Sequence, residues 1–355
     1  MKYLIVQDWS NTRGNHAGME HMCDMLVERW PDQYTKICKK EPRQLPHRSR
    51  EIIGKILHRY DRYKFKREWV ADYMCLCRPM FEKLKVGDEV FLLEYNWPAT
   101  SQLEIAKYIK KHFCDVKIRV LSHLTPTQFA RQHAENYIAE WSKYVDTEMT
   151  MGSELSKYLI SCGVLASKIS TGFHYVDDAY YYKSPDNISV KERLTIIAIG
   201  ALQRDFHLLS EIVNNTPCVD WIICKGKKNV EDLFTGSNVR LVGYVPEDEL
   251  RQLMAEADAS LNVLEDTVGS NVITTSLAMG LAIIVSDVGS IRDHVDERCA
   301  IFCQNNANAF IDAIKFFSKN PDRIVEMRKN ALMKVNNITI SKVNDWFSSL
   351  DNLKK

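Results

Sequence analysis

The stretch LEDTVGSNVITTSLAMGLAIIVSDVGS, residues 264–290, places two carboxylates before a glycine break in a strand–helix–strand pattern. The carboxylates are Glu265 and Asp266, and the break begins at Gly269. Glycine would let the chain come close to a diphosphate, because no side chain stands in the way. An acid beside a phosphate site is suited to accept hydrogen bonds from ligand hydroxyls. The backbone N–H groups after the break would cap the diphosphate; they belong to Ser270, Asn271 and Val272.

Two further glycine breaks follow predicted strands. Asn11-Thr12-Arg13-Gly14-Asn15 follows the first strand of the chain, and Gly200-Ala201 follows the first strand of the second half. None of the three breaks is a G-x-G-x-x-G or P-loop motif. One such glycine by itself usually only relieves the backbone. Three of them at strand ends, where ligands bind in open α/β sheets, favour a phosphate-bearing ligand.

The elements that must position these residues alternate as in parallel sheets with crossover helices. A hydrophilic stretch at 176–193 predicts a linker between two Rossmann-like domains, 1–178 and 179–339, and the helix at 340–355 is expected to pack back on the first. In the first half, strands are predicted at 3–9, 90–97 and 118–124 and helices at 17–30, 101–112 and 153–163. In the second half, strands are predicted at 194–200, 219–226, 238–245, 259–264 and 281–289 and helices at 247–256 and from 271.

The bulk composition limits the class of protein. The chain has 355 residues, of which 45% are hydrophobic and 26% charged, with a net charge of +1. This is typical of a soluble two-domain protein and argues against one that coats polyanions. The apolar start MKYLIVQDWS lacks a small-residue cleavage site, and no apolar run is long enough to cross a bilayer. The ten cysteines lack metal-ligand spacing, which predicts reduced thiols in a cytoplasmic protein.

Three blocks in order carry a resemblance to a known family. They are VDTEMTMGSELSKYLISCGVLASKISTGFHYVDD (145–178), NVRLVGYVPEDELRQLMAEADASLNVLED (238–266) and SLAMGLAIIVSDVGSIRDHV (276–295). Nearly the whole chain resembles a family-4 retaining glycosyltransferase of the GT-B fold, an α/β architecture in which two Rossmann-like domains with parallel sheets face a central cleft. The resemblance implies a nucleotide-sugar donor in the second domain and an acceptor in the first.

The chain departs from the family pattern at the donor site. The family has two acids spaced E-x7-E, of which Asp266 matches the first. At the position of the second acid, this chain has Thr274 when counted forward from Asp266, or Thr275 when counted back from Gly280. The diphosphate clamp is reduced to the loop from Gly200 to Asp205, in which Arg204 would be the surviving cation unless it pairs with Asp205. Further donor-binding candidates are Lys225, with Lys227 as an alternative, and Tyr244.

The first domain is expected to supply the opposite side of the cleft. His123 ends a strand where the family commonly carries a histidine that contacts the donor sugar. Gly14 would let the backbone approach donor or acceptor, and Asn96 and Trp97 end a strand facing the same cleft, where a tryptophan suits sugar stacking as well as packing. Glu265 competes with Asp266 for the sugar hydroxyls. His174 is expected to be structural.

Residues 43–69 are basic and interleaved with apolar side chains. A helix of this kind can lie on an anionic membrane, although a helix with an ordinary solvated face fits equally. Nucleic acid is not an expected partner, because no nucleic-acid-binding module is visible.

The predicted function is transfer of a hexose, with retention, from a nucleotide diphosphate sugar to a glycan or lipid-linked acceptor in bacterial-type surface polysaccharide synthesis. The expected location is the cytoplasm, with peripheral contact at the inner face of the cytoplasmic membrane. No cofactor and no metal is expected, since helix ends and Arg204 would neutralise the diphosphate. The alternatives are a non-catalytic sugar-nucleotide or glycan-binding subunit of the same fold and a GT-B nucleotide-sugar epimerase.

Overall fold

The structure is a computed structural model that describes residues 1–10, 12–41, 52–96 and 100–351. It contains two parallel six-stranded sheets with helices on both faces. Apolar strand residues are buried on both sides, as is typical of parallel sheets. This confirms the predicted α/β architecture of two Rossmann-like sheets.

The first sheet has the strand order β2-β1-β3-β4-β5-β6. Its central strands β1 and β3 are buried almost throughout. The elements of this half are β1 (Lys2–Asp8), α1 (Met19–Arg29), β2 (Tyr34–Lys40), α2 (Ile52–Phe81), β3 (Glu89–Leu92), α3 (Gln102–His112), β4 (Lys117–Ser122), α4 (Pro126–Gln132), α5 (Glu135–Trp141), β5 (Thr147–Thr150), α6 (Ser153–Ser161) and β6 (Ile169–Thr171).

The second sheet has the order β12-β11-β10-β7-β8-β9. The strand order reverses between β7 and β10, so the loops after these two strands open a crevice. The elements of this half are β7 (Thr195–Ile199), α7 (Phe206–Asn214), β8 (Asp220–Cys224), β9 (Val239–Val242), α8 (Glu247–Glu256), β10 (Ala259–Asn262), α9 (Asn271–Ala278), β11 (Ala282–Ser286), α10 (Ile291–His294), β12 (Ala300–Cys303), α11 (Ala307–Lys319), α12 (Pro321–Val335) and α13 (Ile340–Ser349).

The last helix, α13, packs on the first sheet. Phe347 stacks on Phe91 with ring centroids 4.6 Å apart, and both side chains are buried. The Trp346 indole N–H donates to Ser170 Oγ at 2.8 Å. The chain therefore crosses between the two domains twice, once through the 176–193 segment and once before α13.

Two strands of the first domain end earlier than the sequence predicted. β3 ends at Leu92 rather than at residue 97, and β4 ends at Ser122 rather than at residue 124. The chain turns over 93–96, where Glu94 and Asn96 are polar and would interrupt an apolar strand. The loops that face the cleft are correspondingly longer.

The long helix α2 has two unlike halves. Its second half packs on the core through Trp69, Tyr73 and Cys77. The first half exposes its apolar side chains: Ile52, Ile53, Ile56, Leu57, Tyr60 and Tyr63. The part of the predicted basic stretch before residue 52 lies outside the described residues. Within the described part of the chain, no helix has both the length and the apolar character that a membrane span requires.

Candidate active site

A cavity of about 240 Å³ lies at the carboxyl ends of β7 and β8, beside the first turn of α9. The loop after β1 closes it from the first domain. Ligands bind at such a switch point in open α/β sheets. The lining residues are Asn15, Ala17, Tyr181, Ile199, Gly200, Cys224, Gly226, Gly243, Tyr244, Val245, Glu247, Leu250, Asn271, Val272 and Thr275.

The turn at Gly269 has no room for a side chain. Its φ is +95°, and a Cβ there would lie 2.2 Å from His294 Nε2. Ser270 then caps α9, because its hydroxyl accepts a hydrogen bond from the N–H of Ile273 at 3.3 Å. The first N–H groups of a helix have no partner within it, and they attract anions. The cavity therefore ends at a backbone site suited to a phosphate.

The structure separates the two neighbouring carboxylates. Glu265 is exposed to solvent. Asp266 turns toward the first domain, where its Oδ2 accepts a hydrogen bond from the Thr127 hydroxyl at 3.0 Å. Its Oδ1 accepts one from the N–H of Thr267 at 2.8 Å. Asp266 is therefore the carboxylate that faces the cleft.

The two threonines at the position of the missing second acid also differ. Both side chains are buried, but Thr275 lines the cavity and Thr274 does not. The Thr275 hydroxyl donates to the carbonyl oxygen of Asn271 at 2.8 Å, and the Thr274 hydroxyl donates to the same oxygen at 3.1 Å. Only Thr275 can also present its oxygen to a ligand in this cavity.

Arg204 lies in the loop after β7, next to Gly200. Its guanidinium donates to the carbonyl oxygens of Ile199 at 3.3 Å and Leu202 at 3.5 Å. Burial lowers its pKa to about 10, so it stays charged at neutral pH. No ion pair of Arg204 occurs among the described residues, and Asp205, its alternative partner, instead caps α7. Arg204 does not itself line the cavity, although Gly200, against which its guanidinium packs, does.

The two lysines considered as helpers are held in their own loop. The Lys225 ammonium donates to the carbonyl of Lys228 at 2.7 Å and lies 2.7 Å from a carboxylate oxygen of Glu231. The Lys227 ammonium lies over the ring of Tyr244, 5.4 Å from its centroid. Tyr244 is exposed and lines the cavity.

His123, just beyond β4, faces a carboxylate that the sequence analysis did not identify. His123 Nε2 lies 3.6 Å from Glu94 Oε2, and Glu94 Oε1 accepts a hydrogen bond from the Trp9 indole at 3.2 Å. Burial raises the pKa of Glu94, against the opposing effect of His123. Glu94 could have been found from the sequence, because it is a charged residue directly after the apolar run at 90–93.

The remaining first-domain candidates have different environments. Asn96 is buried, and its side-chain amide donates to the Ser122 hydroxyl. Its backbone carbonyl oxygen accepts a hydrogen bond from His133 Nε2 at 3.1 Å. Gly14 is exposed, with φ +76° and open space around it. Trp97 lies outside the described residues.

Two further histidines surround the Gly269 turn. His174 Nδ1 lies 3.2 Å from Asn271 Oδ1, and its ring centroid is 5.9 Å from that of His294. Burial, with smaller effects from His294 and His123, lowers the pKa of His174 to about 3. The ring is therefore neutral at physiological pH. Its buried Nε2 has no hydrogen-bond partner in the part of the chain that the structure describes.

The two domains touch across the cleft. Asp293 accepts hydrogen bonds from the Ser153 N–H at 2.6 Å and hydroxyl at 3.1 Å, at the start of α6. The Ser290 hydroxyl accepts one from the N–H of Glu154 at 3.0 Å. The Asn271 amide donates to the carbonyl of Ala17 at 2.8 Å. The cleft is closed at these points.

A cluster that the sequence analysis missed lies where the β1–α1 loop meets the segment after β6. His16 Nδ1 and His21 Nε2 lie 2.7 and 2.9 Å from the same oxygen, Asp177 Oδ2. The three side chains form a group that could hold a metal ion. Sequence spacing gave little signal, since Asp177 is far from both histidines along the chain.

The fold and the second domain match known proteins. Residues 194–320 match the family described as "Glycosyl transferases group 1". The whole chain has the GT-B fold of glycosyltransferase structures. The chain thus has the GT-B fold, and its second half is similar to the glycosyl transferases group 1 family. No curated protein sequence matches it significantly.

Three solved structures illustrate the fold. HepE of Anabaena in complex with UDP-glucose is 12% identical, with 99% of each chain covered and a TM-score of 0.68. Sucrose-phosphate synthase of Thermosynechococcus elongatus is 12% identical over 99% of this chain and 100% of its own, with a TM-score of 0.69. The lipopolysaccharide outer core galactosyltransferase WaaB is 14% identical over 100% of both chains, with a TM-score of 0.65.

Proposed function

We propose that this chain is a family-4-type retaining glycosyltransferase that transfers a hexose from a nucleoside diphosphate sugar to a glycan or lipid-linked acceptor. The observation that carries the proposal is the cavity at the switch point of the second sheet, which is lined by the first turn of α9. This turn directly follows the tight Gly269 turn. Such a site joins room for a nucleoside to a backbone anion site.

The donor diphosphate would bind at the N-terminus of α9. The N–H groups of residues 270–272 would point at its oxygens, and Gly200 would let the opposite loop approach. Arg204 would add a planar cation once its guanidinium leaves the carbonyls of its own loop. In this scheme these groups stabilise the departing diphosphate without a divalent ion.

The donor sugar would lie between the two domains. Asp266 points across the cleft and would accept hydrogen bonds from sugar hydroxyls. His123 would contact the sugar from the other side. The bond from the anomeric carbon to the diphosphate breaks, and the acceptor oxygen bonds to the same face of that carbon. The acceptor proton passes to the departing phosphate.

The closed contacts between the domains support transfer rather than hydrolysis. The hydrogen bonds from α6 to Asp293 and Ser290 hold the cleft shut around the site. A shut cleft excludes water, which would otherwise compete with the acceptor. The domains would open for donor entry by breaking these few polar contacts.

Uridine diphosphate is the first nucleotide to test. HepE was solved with UDP-glucose, and the WaaB structure is that of a galactosyltransferase of the lipopolysaccharide outer core. We propose by analogy a UDP-hexose donor and a role in surface polysaccharide synthesis at the inner face of the cytoplasmic membrane.

The first half of α2 supports contact with an anionic lipid surface. Its exposed apolar side chains have no cover among the described residues. Exposed basic residues lie between and directly after them: Lys55, Arg59, Arg62, Lys64, Lys66 and Arg67. Each basic residue near an anionic membrane contributes about 1 kcal/mol. The first domain, which would hold the acceptor, is the half that carries this surface.

Vesicle sedimentation tests the membrane contact. The protein is expected to sediment with vesicles of phosphatidylglycerol and not with vesicles of phosphatidylcholine alone. Ile53→Glu with Ile56→Glu should abolish sedimentation, whereas Met333→Glu, at an exposed apolar residue of α12, should not. Equal sedimentation of all three proteins would count against this surface.

The main test measures donor binding and turnover separately. Thermal unfolding is followed with each nucleoside diphosphate, because a ligand of the folded state raises apparent stability. Release of nucleoside diphosphate from the sugar donor is then measured with a panel of acceptors. Acceptor-dependent release supports the proposal. Binding without turnover would favour the non-catalytic subunit, and a changed sugar without acceptor would favour the epimerase.

A further inference from the structure

His16, His21 and Asp177 bring three potential metal ligands to one point. The ligand atoms His16 Nδ1, His21 Nε2 and Asp177 Oδ2 all lie within 4.8 Å of one another. His16 belongs to the β1–α1 loop, His21 to the first turns of α1, and Asp177 to the segment between the domains. None of the three lines the cavity described above.

The ligands are held in place by their surroundings. Asp177 Oδ1 accepts hydrogen bonds from the N–H groups of Ala179 at 3.2 Å and Tyr180 at 3.3 Å, which leaves Oδ2 turned to the histidines. The His16 ring stacks on Tyr180 with centroids 3.6 Å apart and planes 5° from parallel. Such outer contacts orient ligands at metal sites and strengthen binding.

The backbone of His16 is fixed as well. Its N–H donates to Glu247 Oε2 at 2.8 Å, and its carbonyl accepts from the Tyr175 hydroxyl. The Tyr181 hydroxyl donates to Glu247 Oε1 at 2.6 Å. The loop thus presents the imidazole from a fixed main chain, which reduces the entropy lost when a metal binds.

The donor set selects the class of ion. Two imidazole nitrogens and one carboxylate oxygen suit zinc and its borderline neighbours and do not suit magnesium, which prefers oxygen ligands. Tetrahedral zinc ligands at about 2.0–2.1 Å from the metal lie about 3.3–3.4 Å apart. The histidine nitrogens would move back from Asp177 Oδ2 by about half an ångström. The side chains of His16 and His21 are 30% and 27% exposed, which leaves access for water as a fourth ligand.

We infer that His16, His21 and Asp177 form a site for a zinc-type divalent ion. Such an ion would clip the β1–α1 loop to the segment that joins the two domains. Asn15 and Ala17 of that loop line the cavity, and so does Glu247, which holds His16. The ion would therefore fix one wall of the cavity while remaining outside it. The inference does not depend on the proposed transfer reaction.

The test is calorimetric titration of the full chain with Zn²⁺. Exposed thiols also bind zinc, so every protein carries Cys75→Ser, Cys114→Ser and Cys218→Ser, which remove the exposed cysteines of the described residues. The parent is expected to bind one equivalent saturably and to gain thermal stability with Zn²⁺. Millimolar Mg²⁺ should not compete.

Asp177→Asn and His21→Ala should each weaken Zn²⁺ binding by at least about tenfold and remove the thermal shift. His207→Ala, at an exposed histidine of α7, is the matched control and should bind as the parent does. Circular dichroism checks that the variants fold. His21→Gln, which keeps a hydrogen bond to Asp177, replaces the alanine variant if that unfolds. The inference would be overturned if the parent showed no saturable binding, or if the Asp177 and His21 variants bound Zn²⁺ as tightly as the parent does.

Discussion

The two sides of the cleft are built in different ways. On the second domain, the Gly269 turn and the start of α9 offer backbone groups, and the tight contact with His294 fixes the glycine. The side of the cleft that the first domain provides contains buried polar side-chain atoms. Asn96 Oδ1 and His123 Nδ1 are both buried without hydrogen-bond partners among the residues that are described.

This difference indicates a division of labour. Backbone groups held by a glycine and a helix start are preorganised and bind one kind of group, an anion. Buried polar side chains without partners are costly and are usually explained by a ligand, water or function. We therefore expect the second domain to bind the anionic part of a ligand and the first domain to recognise the rest of it.

The strongest test of the second-domain side of the cleft compares two glycines with positive φ, Gly269 and Gly14. Gly269→Ala is expected to destabilise the protein by roughly 3–5 kcal/mol, from backbone strain together with the clash with His294. It should also abolish the shift in melting temperature that a nucleoside diphosphate produces. Gly14→Ala, with φ +76° and open space around it, should cost only about 1–2 kcal/mol. Thermal unfolding of both variants is measured with and without nucleotide. An equal loss of stability in Gly269→Ala and Gly14→Ala would show that the clash with His294 is unimportant.

Buried side chains of the first domain should give stability a pH dependence. Glu148 on β5 is fully buried, with neither oxygen hydrogen-bonded within the described chain, and burial raises its pKa from 4.5 to about 7. The folded state keeps a proton that the unfolded state loses, so stability should fall as pH rises from 4.5 to about 7. Glu148→Gln removes this loss, which amounts to about 3 kcal/mol above pH 7.

Denaturant unfolding of wild type and Glu148→Gln across pH 4–8 measures this effect. The free energy of unfolding of the variant should rise relative to that of the wild type as pH rises, with most of the change between pH 4.5 and 7. A difference that is independent of pH would mean that Glu148 does not carry the raised pKa.

The side-chain contribution of the second domain is tested at the paired carboxylates. Asp266→Asn should reduce turnover about 10- to 100-fold, since a charge-assisted hydrogen bond contributes about 1.5–3 kcal/mol. Glu265→Gln, at the exposed neighbour, should leave turnover unchanged. Steady-state kinetics with a nucleotide-sugar donor provide the measurement, and the reverse ranking would assign the role to Glu265.

The smallest expected effect separates the two threonines of α9. Thr275→Val should weaken nucleotide binding by about 0.5–1.5 kcal/mol, because one hydroxyl facing the cavity is lost. Thr274→Val changes a buried hydroxyl away from the cavity and should leave binding unchanged. Calorimetric titration with a nucleoside diphosphate distinguishes them, and equal effects would mean that neither hydroxyl contacts the nucleotide.

The fold could be predicted because its signals are local and repeated. Apolar runs at 194–200, 259–264 and 281–289 alternate with helical stretches, and the structure has β7, β10 and β11 there. The glycine at 269 marked its turn because only glycine tolerates that backbone at so close an approach. Strand ends in the first domain were predicted too late, since apolar residues such as Leu93 and Leu124 continue beyond them.

The orientation of side chains could not be predicted. The sequence does not distinguish Glu265 from Asp266. In the structure Glu265 is exposed, whereas Asp266 accepts hydrogen bonds from Thr127 and Thr267. The direction of Arg204 depends on carbonyls of its own loop. The cluster at His16 and Asp177 joins residues that are distant along the chain, so no local pattern contains it.

The double crossing of the chain has a mechanical consequence. The two crossings lie side by side, because the N–H of Val176 in the first donates to the carbonyl of Ile338 in the second at 2.9 Å. Two adjacent tethers permit rotation about the line through them but resist sliding and twisting of one half against the other. A protease cut in the 176–193 segment alone would leave the two halves joined by the segment before α13. They could still rotate about that single remaining connection.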